Sequence, residues 1–507
     1  MLANPLRDPR DHRLPRIPQP CALVVFGVTG DLSRRRLLPA VFDLANRGLT
    51  APEMAVVGFG RRSWSDSEFA AWAREHARNG ARTAWREGTW SALAANMRFV
   101  GGTFDEPEAY AQVDQVLADL RGAHGGAGNA AFYLSVAPDQ MPTVLEGLAG
   151  AGLGATGDGW RRIVLEKPFG SDLRSARALH AAVERAFDPR DIFRIDHYLG
   201  KETVQNLFAI RFANTVVEPT WNRNYVDSVQ ITMAEDLGVG TRAGSYDGTG
   251  ALRDVVQNHL LQLLALTAME DPNGYDAADL REEKAKVLRA VVVPDVGEAA
   301  LQESVMAQYG PGWLAGCPVP GYRDEPDVPA ESITDTYAAL RLSVENRRWA
   351  GVPFYLRAGK RLPRRVSEIA VVYRRAPYLP FLPTDTSQLG HNSLVIRVQP
   401  DEGVTLTLGS KVPGSRMAVR DVTLDFSYTQ EFTEGSPEAY ERLILDVLLG
   451  DGTLFPTDAE VEAAWSIVDP IVETWHGRQP ARYPAGTWGP TQGEELLSRD
   501  GRSWRQP

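Results

Sequence analysis

Ala22–Arg36 reads ALVVFGVTGDLSRRR, and the order of residue types in this stretch decides the fold. Ala22 to Phe26 is a short unbroken apolar run, the composition of a strand buried on both faces of a parallel sheet. Gly27 and Gly30 then permit a tight turn, and Asp31 to Ala45 follows with Leu37, Leu38, Val41 and Phe42 at helical spacing. Strand, glycine turn and helix is the arrangement that holds a pyrophosphate on a helix N-terminus. The turn is G-x-x-G rather than the full G-x-G-x-x-G, and a glycine pair after a strand, taken alone, is more often just a turn. Pro39 falls inside the helix, where a kink or a break is expected.

The alternation continues outward from that start. A second strand, Met54 to Val57, runs into GFGRRSW, where an NAD site would place a carboxylate for the ribose diol. Arg61 and Arg62 stand there instead, and guanidinium groups suit a 2′-phosphate, which favours NADP; two solvated arginines are the plain alternative. Residues 81 to 95 show only a helical leaning. The strand MRFVGG, a helix over Pro107 to Leu120, the strand Ala130 to Val136, a helix over Gln140 to Leu148 and the strand Arg161 to Pro168 complete a doubly wound parallel sheet. Lys167 stands at a strand end, where such sheets bind their ligands, and Pro168 is a candidate for a cis peptide bond.

After Arg194 the pattern changes. Val229, Ile231 and Met233 alternate with Gln230 and Thr232, and the same period of two returns at Leu340 to Val344 and Val404 to Leu408, which predicts a mainly antiparallel sheet with one polar face. Two helices stand out, Leu252 to Ala268 and Tyr440 to Leu449. The expected fold is α/β plus α+β: a flexible tail over 1–20, a Rossmann-like domain over 21–197, and a larger α+β domain over 198–507 for substrate and oligomerisation.

The nine residues RIDHYLGKE (Arg194–Glu202) gather a histidine, a phenol and an ammonium at His197, Tyr198 and Lys201. That set suits the oxygens of a phosphate monoester. Asp196 offers a carboxylate that could orient a second histidine. In LRDVVQNHLLQLL, Asp254 and His259 are five apart, roughly 140 degrees around an ideal α-helix, so they need not face the same way. Lys360 and Arg365 in GKRLPRR add positive charge.

The chain of 507 residues carries a formal net charge of -11 and two cysteines. Its acidity argues against nucleic acid or an anionic membrane as partner. Cys21 and Cys317 match no zinc spacing and give no disulfide framework. With no long apolar run and no secretory leader, the cytoplasm is the expected location.

Taken in order, GVTGDLSRRR, GFGRR, FYLSVAP, RIVLEKPFG, RIDHYLGKE, WNRNYVDSVQITMAEDLG, GALRDVVQNHLLQLLALTAMEDP, GVPFYLRAGKRL, EAYERLILD and GTWGP resemble the glucose-6-phosphate dehydrogenases from about residue 21 to residue 495. The resemblance implies oxidation of glucose 6-phosphate at C1 to the 6-phospholactone, the first step of the oxidative pentose phosphate pathway, with NADP as cofactor and no metal. It implies that His259 is the general base and Asp196 its orienting carboxylate. His197, Tyr198 and Lys201 would hold the phosphate, and Glu235, Asp254, Lys360 and Arg365 would surround the sugar. Lys167 would lie near both sugar and nicotinamide, and Gly27, Gly30, Arg36 and Arg61 on the cofactor side. A homo-oligomer, dimer or tetramer, is expected. Val28 and Thr29 stand where the family often has smaller residues, and Arg365 where lysine also occurs. A different sugar dehydrogenase and a non-catalytic sensor are the rival readings. The phosphate group speaks against the first, and the presence of Asp196, His259 and Lys167 against the second.

Overall fold

The computed structural model describes residues 17–124, 128–155, 159–293, 296–380, 389–415, 417–428 and 437–507. The expected tail therefore lies almost wholly outside the described residues. Packing divides the chain into two compact units, one from Met1–Glu202, Tyr275–Arg281 and Glu434–Asp458, the other from Thr203–Gly274, Glu282–Thr433 and Ala459–Pro507.

The first unit is built on a six-stranded sheet. Its strands are β1 (Ala22–Phe26), β2 (Ala55–Gly60), β3 (Met97–Gly101), β4 (Ala130–Leu134), β5 (Arg161–Glu166) and β6 (Ile192–Ile195), in the order β3-β2-β1-β4-β5-β6. Every neighbouring pair is parallel. This is the doubly wound order in which the strand sequence reverses between β1 and β4, leaving a crevice beyond their carboxyl ends. β1, β2 and β4 are buried along their whole length, which is why they read as apolar runs.

The helix after β1 departs from expectation at Pro39. The chain stays helical through the proline, with a wide π turn over Ser33–Leu37 and the α-helix Leu38–Asn46 following it. Pro39 sits in the first turn of that α segment, where its missing N–H and fixed φ are tolerated. The helix Ala439–Leu449 packs on Leu38–Asn46 within this unit, and Arg47 pairs with the buried Glu441 at 3.0 Å. Arg162, at the start of β5, donates to the last carbonyls of the 439–449 helix, Val447 at 2.9 Å and Leu448 at 2.8 Å.

The second unit carries a ten-stranded, mainly antiparallel sheet. Its central strand β7 (Val226–Ala234) lies antiparallel to Val366–Tyr373 and parallel to Pro353–Gly359. The expectation of one polar face fails for β7. Gln230 and Thr232 are buried like Val229, Ile231 and Met233. The C-terminal residues cover that face: Gln230 accepts from the Arg505 amide at 2.8 Å and donates to the Ser503 carbonyl at 3.0 Å. Thr232 accepts from Arg357 at 3.2 Å. Among the described residues, no helix is long and apolar enough to cross a membrane.

Candidate active site

Gly27 follows β1 with φ +74, a conformation that suits glycine. A Cβ there would stand 2.3 Å from the Ser135 carbonyl oxygen, just past the end of β4. Only a residue without a side chain therefore fits the reversal point of the sheet. The Gly27 amide donates to Phe59 O at 3.0 Å, the Gly30 amide to Gly27 O at 2.9 Å, and Ser33 Oγ to Ser135 Oγ at 3.0 Å, so turn, β2 and β4 form one cradle. Arg61 and Arg62 are exposed just beyond β2. Arg62 lies over the Trp64 ring at 5.8 Å, while Arg61 has no ion pair among the described residues. Arg36 is exposed on the π turn and pairs with Glu438 at 3.3 Å.

At the end of β5, Glu166 accepts a short hydrogen bond from the Tyr133 hydroxyl and another from Tyr440. Burial pushes its carboxyl up to about 7, against the opposing pull of the two phenols and Lys167. The Lys167–Pro168 peptide bond is cis, as is Gln399–Pro400. Lys167 itself is half-buried.

β6 ends in the site's turn. Asp196 is 2% exposed, and its Oδ1 accepts from the Tyr198 amide at 2.9 Å. The His197 ring lies 4.9 Å from Tyr198 and stacks at 6.4 Å on Tyr440, and Lys201 Nζ stands 5.3 Å from the Tyr198 ring. Gly200 lets the 439–449 helix approach. A Cβ there would stand 3.0 Å from Ala439 O and 3.1 Å from Leu443 Cγ. The imidazole, phenol and ammonium expected to hold a phosphate are thus neighbours on one turn.

In the second unit Glu235 follows β7 and forms a short ion pair with the buried Lys360, which follows Pro353–Gly359. The parallel register of these strands sets the pair side by side: Ala234 faces Gly359, and the Glu235 amide donates to Gly359 O at 2.9 Å. Lys360 Nζ also lies 5.1 Å from the Tyr246 ring, and its carbonyl accepts from Tyr483 at 2.6 Å. Next to it Arg361 adopts φ +53, a strained conformation for a side-chain-bearing residue, and donates to Glu325 at 3.3 Å. Arg365 is exposed and donates to Gln399 at 3.3 Å.

Asp254 and His259 lie on a π-helical segment, Leu252–Leu260, which continues as the α-helix Leu261–Ala268. This corrects the angular argument. An i→i+5 ladder winds about 4.4 residues per turn, so residues five apart lie only roughly 50 degrees from each other around the axis. Asp254 and His259 therefore share a face. His259 is 3% exposed, and its amide donates to Asn258 Oδ1 at 2.6 Å.

Sequence reasoning missed Glu166, Tyr133 and Tyr440. The first was readable as the acid beside Lys167, but no local pattern links it to a tyrosine far along the chain.

A doubly wound sheet with a glycine cradle at its reversal point, joined to an α+β unit bearing a buried histidine and a buried lysine paired with a more exposed glutamate, defines a nicotinamide nucleotide-dependent oxidoreductase of small polar substrates. Comparison with known proteins sharpens that class. The chain matches the family model "Glucose-6-phosphate dehydrogenase, NAD binding domain" over residues 24–206 and "Glucose-6-phosphate dehydrogenase, C-terminal domain" over residues 208–505. It is 57% identical over 507 residues to a glucose-6-phosphate 1-dehydrogenase 2 of Mycobacterium tuberculosis, covering 99% of this chain and 98% of that one. A glucose-6-phosphate 1-dehydrogenase of Mycolicibacterium smegmatis is 43% identical, over 97% of this chain and 99% of that one. A solved glucose-6-phosphate dehydrogenase in complex with glucose 6-phosphate has a TM-score of 0.88 at 32% identity, covering 97% of this chain and 100% of that one. The chain belongs to the glucose-6-phosphate dehydrogenase family.

Proposed function

We infer that the chain oxidises glucose 6-phosphate at C1 to 6-phospho-glucono-1,5-lactone. The observation that carries this reading is the family match across both halves of the chain, at residues 24–206 and 208–505. When bound, the nicotinamide ring accepts the hydride that leaves C1.

The remaining steps belong to the chain's own residues. His259 removes the C1 hydroxyl proton, so no alkoxide charge builds up as the hydride departs. An imidazole suits this work because one ring nitrogen can take up the proton while the other is held by an orienting carboxylate. Asp196 orients that imidazole and stabilises it once protonated. His197, Tyr198 and Lys201 hold the phosphate. Their closeness on one turn supports the role, since a dianion needs several donors converging on it. Glu235, Asp254, Lys360 and Arg365 bind the sugar hydroxyls and phosphate edge, and the neutralised Lys360–Glu235 pair offers both a donor and an acceptor.

On the cofactor side, Gly27 and Gly30 receive the pyrophosphate. Arg61 binds the 2′-phosphate that distinguishes NADP from NAD, and its exposed guanidinium leaves it able to do so. Arg36 reaches the same phosphate on leaving Glu438. Lys167 touches both sugar and nicotinamide. The proposed location is the cytoplasm and the proposed assembly a homo-oligomer. The hairpin Gly403–Lys411 and Val419–Ser427, which leaves Leu408 and Leu424 exposed, supports association.

His259→Asn tests the core of this reading. Turnover, followed by absorbance of the reduced cofactor, is expected to fall by about two to four orders of magnitude, the usual worth of a general base, with KM for glucose 6-phosphate little changed. A variant that keeps near-normal turnover would refute it.

A further inference from the structure

The helix that carries His259 is held at both ends by side chains from outside it. At its start, the Asp335 carboxylate accepts from the Leu252 amide at 2.8 Å, and the Asp335 carbonyl accepts from the Ala251 amide at 2.9 Å. Gly250, at φ +74, permits that approach, because a Cβ there would stand 2.1 Å from Asp335 Oδ1.

The other end is more unusual. An α-helix leaves its last four carbonyls without a helical partner, and these are commonly met by water or by a glycine turn. Here four consecutive carbonyls each receive a side-chain donor. Arg211 Nη1 donates to Leu266 at 2.9 Å and Nη2 to Met269 at 2.6 Å. Between them the indole N–H of Trp221 donates to Thr267 at 2.8 Å and that of Trp349 to Ala268 at 2.8 Å. Arg211 is 1% exposed and both indoles are fully buried. The guanidinium lies 4.5 Å from the Phe212 ring and 5.6 Å from Trp221. Arg348 braces the arrangement from behind, donating to the Trp221 carbonyl at 2.9 Å and pairing with Glu218 at 3.0 Å and Glu270 at 2.6 Å.

With both ends fixed, the residues between must fit a set span, and the π segment Leu252–Leu260 lies within it. Loosening one end would let that segment relax towards the ordinary i→i+4 ladder, which turns His259 away from Asp254 by close to a quarter turn. We propose that Arg211, Trp221 and Trp349 are positioning residues for His259, holding the C-terminal end of its helix so that the π register of Leu252–Leu260 is retained. The proposal rests on the assignment of His259 as the base.

Two readouts test it on the full-length enzyme. Trp221→Phe, Trp349→Phe and their double variant remove only indole N–H donors and part of a ring. Arg211→Lys keeps the charge but loses the two-pronged geometry. In the double variant kcat is expected to fall by about 10- to 100-fold, the usual effect of a small misplacement of a reacting group, with KM for glucose 6-phosphate within about twofold. Each single variant should fall between the double variant and the parent. Amide hydrogen exchange over residues 252–260 should speed up in step with the loss of kcat. Should Arg211→Lys fail to fold, the tryptophan variants decide alone. Folded variants with parental kcat would overturn the proposal, as would exchange that quickens only over residues 261–269. His259→Asn, assayed alongside, separates the two readings. If it keeps its turnover, the base assignment fails, and the exchange over 252–260 then decides the clamp by itself.

Discussion

Lys284 and Glu460 form an ion pair at 2.9 Å with side-chain exposures of 2% and 0%, and its burial allows the cost of breaking it to be worked out. Lys284 comes from the helix Ala277–Ala290 and Glu460 from Asp458–Trp475. Gln262, three residues past His259, completes a triad by accepting from Lys284 at 3.2 Å and donating to Glu460 at 3.2 Å. Removing one member of a buried pair leaves an uncompensated charge and costs about 3–5 kcal/mol, whereas exchanging all members for apolar groups of similar volume is about neutral. Glu460→Leu should therefore destabilise strongly. At about 2–4 °C per kcal/mol for a unit of this size, the midpoint should fall on the order of 10 °C. Adding Lys284→Met should recover part of that fall, because the Gln262 amide then remains buried without partners at about 1–3 kcal/mol. The triple variant with Gln262→Leu should return to within a few degrees of the parent. Thermal scans monitored by intrinsic fluorescence at pH 7, supported by half-lives of activity at a fixed temperature, read this ladder. A Glu460→Leu midpoint equal to the parent's, or a triple variant no better than the single, would refute the electrostatic account.

Two further outcomes follow from the first unit. Arg61→Ala is expected to raise KM for NADP by about tenfold or more while leaving KM for NAD nearly unchanged, since only NADP carries the 2′-phosphate; equal losses for both would sink that role. Glu166 sets a pH dependence. Its folded pKa of about 7 lies above its ordinary 4.5, so the folded state binds the extra proton, and the stability this gives is present at low pH and lost as pH rises through 7. Glu166→Gln, which stays neutral, should gain thermal stability relative to the parent as pH climbs from 5 to 8, and a difference that stays flat with pH would contradict the buried-carboxyl reading.

The first sheet was legible because β1, β2 and β4 are buried along their whole length, so each appears as a local apolar run with helices between the strands. The second sheet was legible only in outline. β7 showed a period of two, yet Gln230 and Thr232 are buried, because residues 503–505 fold back on Gln230 from the far end of the chain and Arg357 donates to Thr232. No window around β7 contains that information. The same holds for Glu166, whose position beside Lys167 was plain, while one of its two phenol donors, Tyr440, arrives with a much later helix. By contrast His197, Tyr198 and Lys201 sit on one turn, so sequence neighbours became neighbours in space.

Asp254 and His259 show how far spacing alone can carry an argument about a site. A separation of five residues has no fixed meaning until the pitch of the helix is known: roughly 140 degrees on an α-helix, roughly 50 degrees on a π-helix. Within LRDVVQNHL the pattern of apolar and polar residues serves either pitch, while the Asn258 side-chain amide acts on the ladder locally, donating to the Asp254 carbonyl at 3.0 Å and accepting from the His259 amide at 2.6 Å. What holds the span lies at the ends, where Asp335 meets the Leu252 amide and Arg211, Trp221 and Trp349 meet the carbonyls from Leu266 to Met269. These four residues belong to three separate stretches of chain, so the register of the helix is a property of the assembled unit. A π segment is held only where its surroundings over-determine it, and such segments concentrate at functional sites for that reason. The face shared by Asp254 and His259 is therefore made by tertiary packing, and the residues that make it are as open to test as the histidine itself.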